Sequence, residues 1–257
     1  MSLTLASILF AVVLFAGMIA LLELGRFLGR RRRSKDEEGA RAGLGAVEGA
    51  IFALLGLLIA FTFSGAASRF DTRRQLIVQE ANAIGTTWLR LDLLPAAAQP
   101  ELRGLFRRYL DLRLVAYDKL PDVEAVRAEL GKANALQGEI WRLAVSAGQQ
   151  APNPVVVQVF APLNEMFDIA AARTAAAQMH SPNIIFILLG VLALMSSLLA
   201  GYGMAGGKSR SWIHVIGFAL VMATTVYVIL DLEYPRIGFI RVDAFDQILV
   251  ELRQSMK

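Results

Sequence analysis

Apolar positions along the chain gather into four uncharged runs, residues 1–22, 49–68, 181–207 and 211–230. Each run is long enough to cross a bilayer as a helix, for which about 20 apolar residues suffice. Charge or an aromatic anchor borders each pair: Arg30, Arg31, Arg32 and Arg33 follow the first run, Arg69 ends the second, and Trp212 and Tyr227 lie near the ends of the fourth. The first run has no Lys or Arg before it and is too long for an ordinary signal-peptide core, so it is expected to stay as a span.

Between the two pairs lies a polar middle region, 69–180, in which apolar residues recur at helical spacing: Leu102, Leu105, Phe106, Tyr109, Leu110 and Tyr117 are examples. Prolines punctuate it. Pro95 and Pro100 end one helix and open the next, Pro121 breaks again, Pro152 and Pro154 form a loop, and Pro182 precedes the third span. No proline falls between Gly49 and Pro95, so the second span is expected to continue as one helix of roughly 45 residues, about 70 Å long, into the middle region. Beyond the fourth span, Pro235 stops the helix. Phe245, Ile248, Leu249 and Leu252 then predict a short amphipathic helix that returns to the middle domain. The expected architecture is an all-α integral membrane protein, with four transmembrane helices in two pairs flanking a helical extramembrane domain. Its divisions are 1–68, 69–180, 181–230 and a tail 231–257.

Composition changes this picture little: 56% of the 257 residues are hydrophobic. The net charge of +4 raises the question of nucleic acid, but seven of the 26 basic residues (Arg26, Arg30, Arg31, Arg32, Arg33, Lys35, Arg41) sit in the loop after the first run. Such a cluster reads as a topology signal, and nucleic acid is not expected as a partner. With that loop and Lys208 and Arg210 cytoplasmic, the N-terminus, middle domain and C-terminus fall outside. The four arginines also suit anionic lipid headgroups. The expected location is a bacterial inner membrane. Absence of Cys removes disulfides, thiolate metal sites and thiol nucleophiles together.

On the second run, Gly49, Ala53, Gly56, Ala60, Ser64 and Ala67 recur every three or four residues and share one face. Small residues on one face let membrane helices approach closely, so this stripe is expected to pack helices and to assemble a homo-oligomer. On its flank lie Phe52, Ile59, Phe63 and Phe70. Two readings stand for them: packing against lipid or neighbouring helices, or, for Ile59 and Phe63 contributed by several subunits, an apolar constriction that gates by dewetting. Arg69 and Arg73 follow on the same helix, with Asp71 and Arg74. They read either as an interfacial belt or as a basic pore mouth that concentrates anions.

The segment LLGLLIAFTFSGAASRFDTRRQLIVQEANAIGTTWLRLDLLP (54–95), with RRYLDLRLVAYDKL (107–120) and DLEYPRIGFIRVDAFDQILVELRQSM (231–256), resembles the bacterial bestrophin-like domain family, whose function is unknown. True bestrophins, to which that family is remotely linked, are oligomeric anion channels with two pairs of spans around a helical domain and an apolar neck on the second span. The resemblance implies a homo-oligomer that passes inorganic ions. The chain departs from true bestrophins in two respects. Its charge pattern puts the middle domain outside, where bestrophins hold theirs in the cytoplasm, and it lacks a compact acidic cluster like an animal bestrophin's calcium clasp.

His180 and His214 border the third and fourth spans and read as interfacial or packing residues, since neither has a second His or Cys at ligand spacing. Asp231 and Glu233 read as ion-pair partners for the middle domain's basic residues. No cofactor, metal or catalytic residue is expected. Walker, HExxH and nucleophile-elbow patterns are missing, and the Gly-rich 201–207 stretch joins two spans rather than a strand and a helix. The spans also carry no carboxylate for proton coupling, which argues against a secondary transporter. Two function classes remain: a homo-oligomeric channel lined by the second span, and a membrane-anchored interaction or sensory protein. The resemblance favours the first, the lack of polar lining along 49–68 the second.

Overall fold

A computed structural model describes residues 3–33, 44–207 and 211–257. Lys35, Arg41, Lys208 and Arg210, which carry part of the topology argument, lie outside these. The described residues are helical: α1 Leu3–Arg33, α2 Leu44–Arg90, α3 Gln99–Asp118, α4 Val123–Gly148, α5 Asn153–Gln178, α6 Asn183–Gly203, α7 Trp212–Glu233 and α8 Asp243–Ser255, with short 3-10 turns at Leu91–Leu93 and Met204–Gly206. No strand occurs among them. α1, α2, α6 and α7 are long and apolar enough to cross a membrane. The chain divides into two compact units, Met1–Ser68 with His180–Phe239, and Arg69–Met179 with Ile240–Lys257. The tail expected to begin at 231 is thus split, 231–239 going with the first unit and 240–257 with the second.

In the first unit α1 packs along α6 and α7, and glycine decides how close. A Cβ at Gly25 would collide with the carbonyl oxygen of Leu198, and one at Gly201 with that of Leu22. Small residues let the backbones touch, which is what stabilises helix pairs where lipid removes the hydrophobic driving force. Leu14, Met18, Leu22, Leu189, Ala193 and Val226 fill the interior. Val13, Ile184, Ile213 and Val221 are exposed, as lipid-facing positions of spanning helices should be.

In the second unit the outer half of α2 packs with α3, α4, α5 and α8 around Ile84, Leu102, Phe106, Tyr109, Leu110, Ile140, Leu163, Met166 and Leu249. Proline placement follows the chemistry of helix starts. Pro100 and Pro154 occupy the first turns of α3 and α5, where an amide hydrogen would be unpaired in any case. Pro154 is therefore inside α5 and not part of a loop. Pro162 sits buried within α5 without ending it, so here tertiary packing overrides the breaker signal. Asp122 caps α4, its carboxylate accepting from Ala125 N at 3.0 Å.

Candidate pore helix and buried charge cluster

α2 runs unbroken for 47 residues, roughly 70 Å at the usual helical rise. Its membrane half buries Leu55, Thr62 and Ala66, spaced seven and four apart, so these mark the inward face. The Thr62 hydroxyl donates to the Leu58 and Ile59 carbonyls at 2.8 and 3.0 Å, which satisfies it without a polar partner on another helix. Phe52 meets Phe218 of α7 edge-on, with ring centroids 6.1 Å apart.

Advancing about 100° per residue, the small-residue stripe lies roughly 140° round from this inward face, nearly opposite it. Gly49, Ala53, Gly56, Ala60 and Ser64 are exposed and Ala67 is half-buried. A Cβ at Gly49 or Gly56 would meet nothing within 4 Å. Among the described residues, the glycines pressed against the backbone of another helix are those of α1 and α6, at positions outside the stripe. Ile59 is half-buried and Phe63 is 45% exposed, both on the border between the inward face and the stripe. Leu54, Leu57 and Phe61 are exposed on the far side.

Past the apolar run the two arginines part company. Arg69 is half-buried, whereas Arg73 is buried, with Nε donating to the Ala176 carbonyl at 3.1 Å and Nη2 to the Met179 carbonyl at 2.7 Å. Arg73 thus caps the C-terminal end of α5, where carbonyls lack helical partners and the helix dipole is negative. Asp71 pairs with Arg74, whose guanidinium also lies 5.2 Å from the Phe70 ring centroid. At the C-terminal end of α1, Arg30, Arg31 and Arg32 are exposed.

In the first unit, His180 stacks on Tyr234 at 4.6 Å with its Nδ1 3.7 Å from Glu233, and the Ser181 hydroxyl donates to Glu233 at 2.8 Å. Asp231 accepts from the Tyr227 hydroxyl at 3.2 Å and the Phe239 amide at 3.1 Å. The Thr4 hydroxyl donates to the Ile237 carbonyl at 2.6 Å, which ties the start of α1 to this bend. His214 Nδ1 lies 2.5 Å from the Ser211 hydroxyl at the start of α7.

The centre of the second unit is charged. Glu80 of α2, fully buried, accepts from Arg113 Nε at 2.6 Å and Arg173 Nη1 at 2.5 Å. Arg173 Nη2 donates in turn to Asp246 of α8 at 2.7 Å. Burial by itself would raise the Glu80 pKa, but the two guanidinium groups, through charge and hydrogen bonds, outweigh it and hold the carboxyl below its ordinary value. Burial likewise works against the charged form of Arg113 and Arg173, and Glu80 reverses it. Tyr109, whose hydroxyl accepts from Gln137 at 3.2 Å, is pushed up to about 12, chiefly by burial. Sequence reading missed this cluster, although a signal was there. Glu80, Arg113 and Arg173 occupy positions where the apolar rows 77–81–84–88, 106–109–110–117 and 159–163–166–170 would place another hydrophobe.

An all-α membrane protein with paired spans and a helical unit between them in sequence is the architecture of the bestrophins. Crystal structures of a bacterial bestrophin homolog from Klebsiella pneumoniae share it. One form carrying a single substitution matches with a TM-score of 0.68 at 14% identity over 94% of this chain and 98% of that one, and a form solved by Zn-SAD phasing matches at 0.67 and 13% over 92% and 97%. The Bestrophin-like domain model matches residues 11–244, and the chain belongs to that family. No curated protein matches it.

Proposed function

We propose that the protein is a homo-oligomeric ion channel of the inner membrane, anion-permeable, whose axial path is lined by α2 and narrowest at Ile59 and Phe63. One observation carries this reading: on a helix embedded in a bestrophin fold, the face formed by Gly49, Ala53, Gly56, Ala60 and Ser64 is left open in its own protomer, and Phe63 stands exposed on its border. Copies of the chain packed through small residues would bring their α2 helices together and turn these large side chains toward a common axis. Rings of Ile and Phe resist wetting, so such a neck gates without any charged group. Arg69 serves as the basic mouth. Arg73, bound to the α5 carbonyls, supports the same region as a capping residue. Arg30, Arg31 and Arg32 face anionic headgroups. No catalytic step enters this reading.

Planar-bilayer recording with purified protein tests it. Ile59→Ala/Phe63→Ala is expected to raise conductance above wild type, and Arg69→Glu to shift selectivity toward cations. Silence of both wild type and the double alanine variant, under ion gradients and applied voltage, would overturn the channel in favour of a membrane-anchored interaction protein.

A further inference from the structure

At the centre of the second unit, α2, α3 and α5 contribute two guanidinium groups and one carboxylate: Arg113, Arg173 and Glu80, at 1%, 4% and 0% exposure. That set holds one positive charge too many for a site closed to water, because a buried charge without a partner is strongly unfavourable. The balancing carboxylate comes from a separate element. Asp246 of α8 reaches Arg173 and is itself 20% exposed, the outermost member of the cluster. Meanwhile Arg113 Nη2, fully buried, has no hydrogen-bond partner among the described residues. Both guanidiniums lie against the ring of Tyr117, Arg173 at 4.5 Å and Arg113 at 5.9 Å from its centroid.

α8 is a helix of 13 residues, too short to persist in water once detached. Leu249 and the flanking Val242 and Met256 hold it in the core, and Arg253 pairs with Asp111 through two hydrogen bonds of 2.7 and 3.0 Å. We propose that Arg173, with Arg113 beside it across Glu80, forms an anion-binding site with Asp246 as its built-in occupant, and that a small oxyanion, such as a carboxylate or inorganic phosphate, takes the position of the Asp246 carboxylate when that side chain vacates it. Charge and donor geometry both point this way. Guanidinium forks favour planar or tetrahedral oxyanions over a spherical ion.

The experiment uses the full chain in detergent as wild type, Asp246→Ala, Asp246→Asn and Arg173→Lys/Asp246→Ala. Hydrogen exchange of residues 243–255 is followed while sodium formate or sodium phosphate is titrated against sodium chloride at matched ionic strength. Loss of a charge-assisted hydrogen bond predicts roughly ten- to hundredfold faster exchange of α8 in the single variants. Formate or phosphate should restore protection saturably in Asp246→Ala, leave wild type unchanged, and fail in the double variant. Asp246→Asn keeps the side-chain shape and gives the exchange comparison if Asp246→Ala does not fold. Unchanged protection in Asp246→Asn, or recovery in chloride equal to that in formate and phosphate, would overturn the proposal.

Discussion

Glu80 illustrates how a single buried side chain governs its surroundings. It is fully buried and held by two guanidinium groups, so removing it leaves Arg113 without a carboxylate and Arg173 with Asp246 alone in the interior of the second unit. Glu80→Ala is expected to cost about 3–5 kcal/mol, the range for breaking one partner out of a buried ion pair, read as a loss of thermal stability with unchanged helix content before melting. Its pH dependence follows from the lowered pKa. Ionised Glu80 stabilises the fold throughout the range above the ordinary value of 4.5, and that contribution disappears as pH falls through the lower folded-state value. An acid titration followed by circular dichroism should therefore show a steeper loss of stability below pH 4.5 in the wild type than in Glu80→Gln. Equal slopes would mean the cluster does not govern acid stability.

Two sets of small residues behave differently at the scale of elements. Gly25 and Gly201 are pressed against carbonyls of the opposite helix, whereas Gly49 and Gly56 face open space. Gly201→Leu is accordingly expected to prevent α1 and α6 from closing, with overpacking of at least about 1–3 kcal/mol and sharply reduced yield of folded protomer. Gly56→Leu/Ala60→Leu should leave the protomer's own stability within about 0.5 kcal/mol, the usual range for exposed substitutions, while lowering the mass of the purified assembly measured by light scattering in detergent. An unchanged assembly mass would show that the α2 stripe joins no copies of the chain.

For the whole molecule, the charge pattern sets an expectation about sidedness. The basic residues after the first span predict that the middle region and the C-terminus face away from the cytoplasm. Reporter fusions at Gly131 and Lys257 check it. Periplasm-specific activity at both is expected, and cytoplasmic activity at both would place the middle region as true bestrophins have theirs.

Periodicity and length alone determined the four apolar helices, the uninterrupted α2 and the amphipathic α8, because these depend on near-neighbour spacing and on the cost of unpaired backbone groups in lipid. Family membership was legible in long segments that fall on α2, on α3 and on the end of α7 with α8. Tertiary structure decided what spacing leaves open. Pro162 stays inside a helix because packing holds it there, and Arg73 becomes a cap because the end of α5 lies beside it. The glycines that bring helices together proved to be on α1 and α6 because only three-dimensional contact distinguishes a small residue against a backbone from one facing open space. The Glu80, Arg113, Arg173 and Asp246 cluster is drawn from four helices far apart in sequence, and charge compensation across such distances is a property of the folded chain alone.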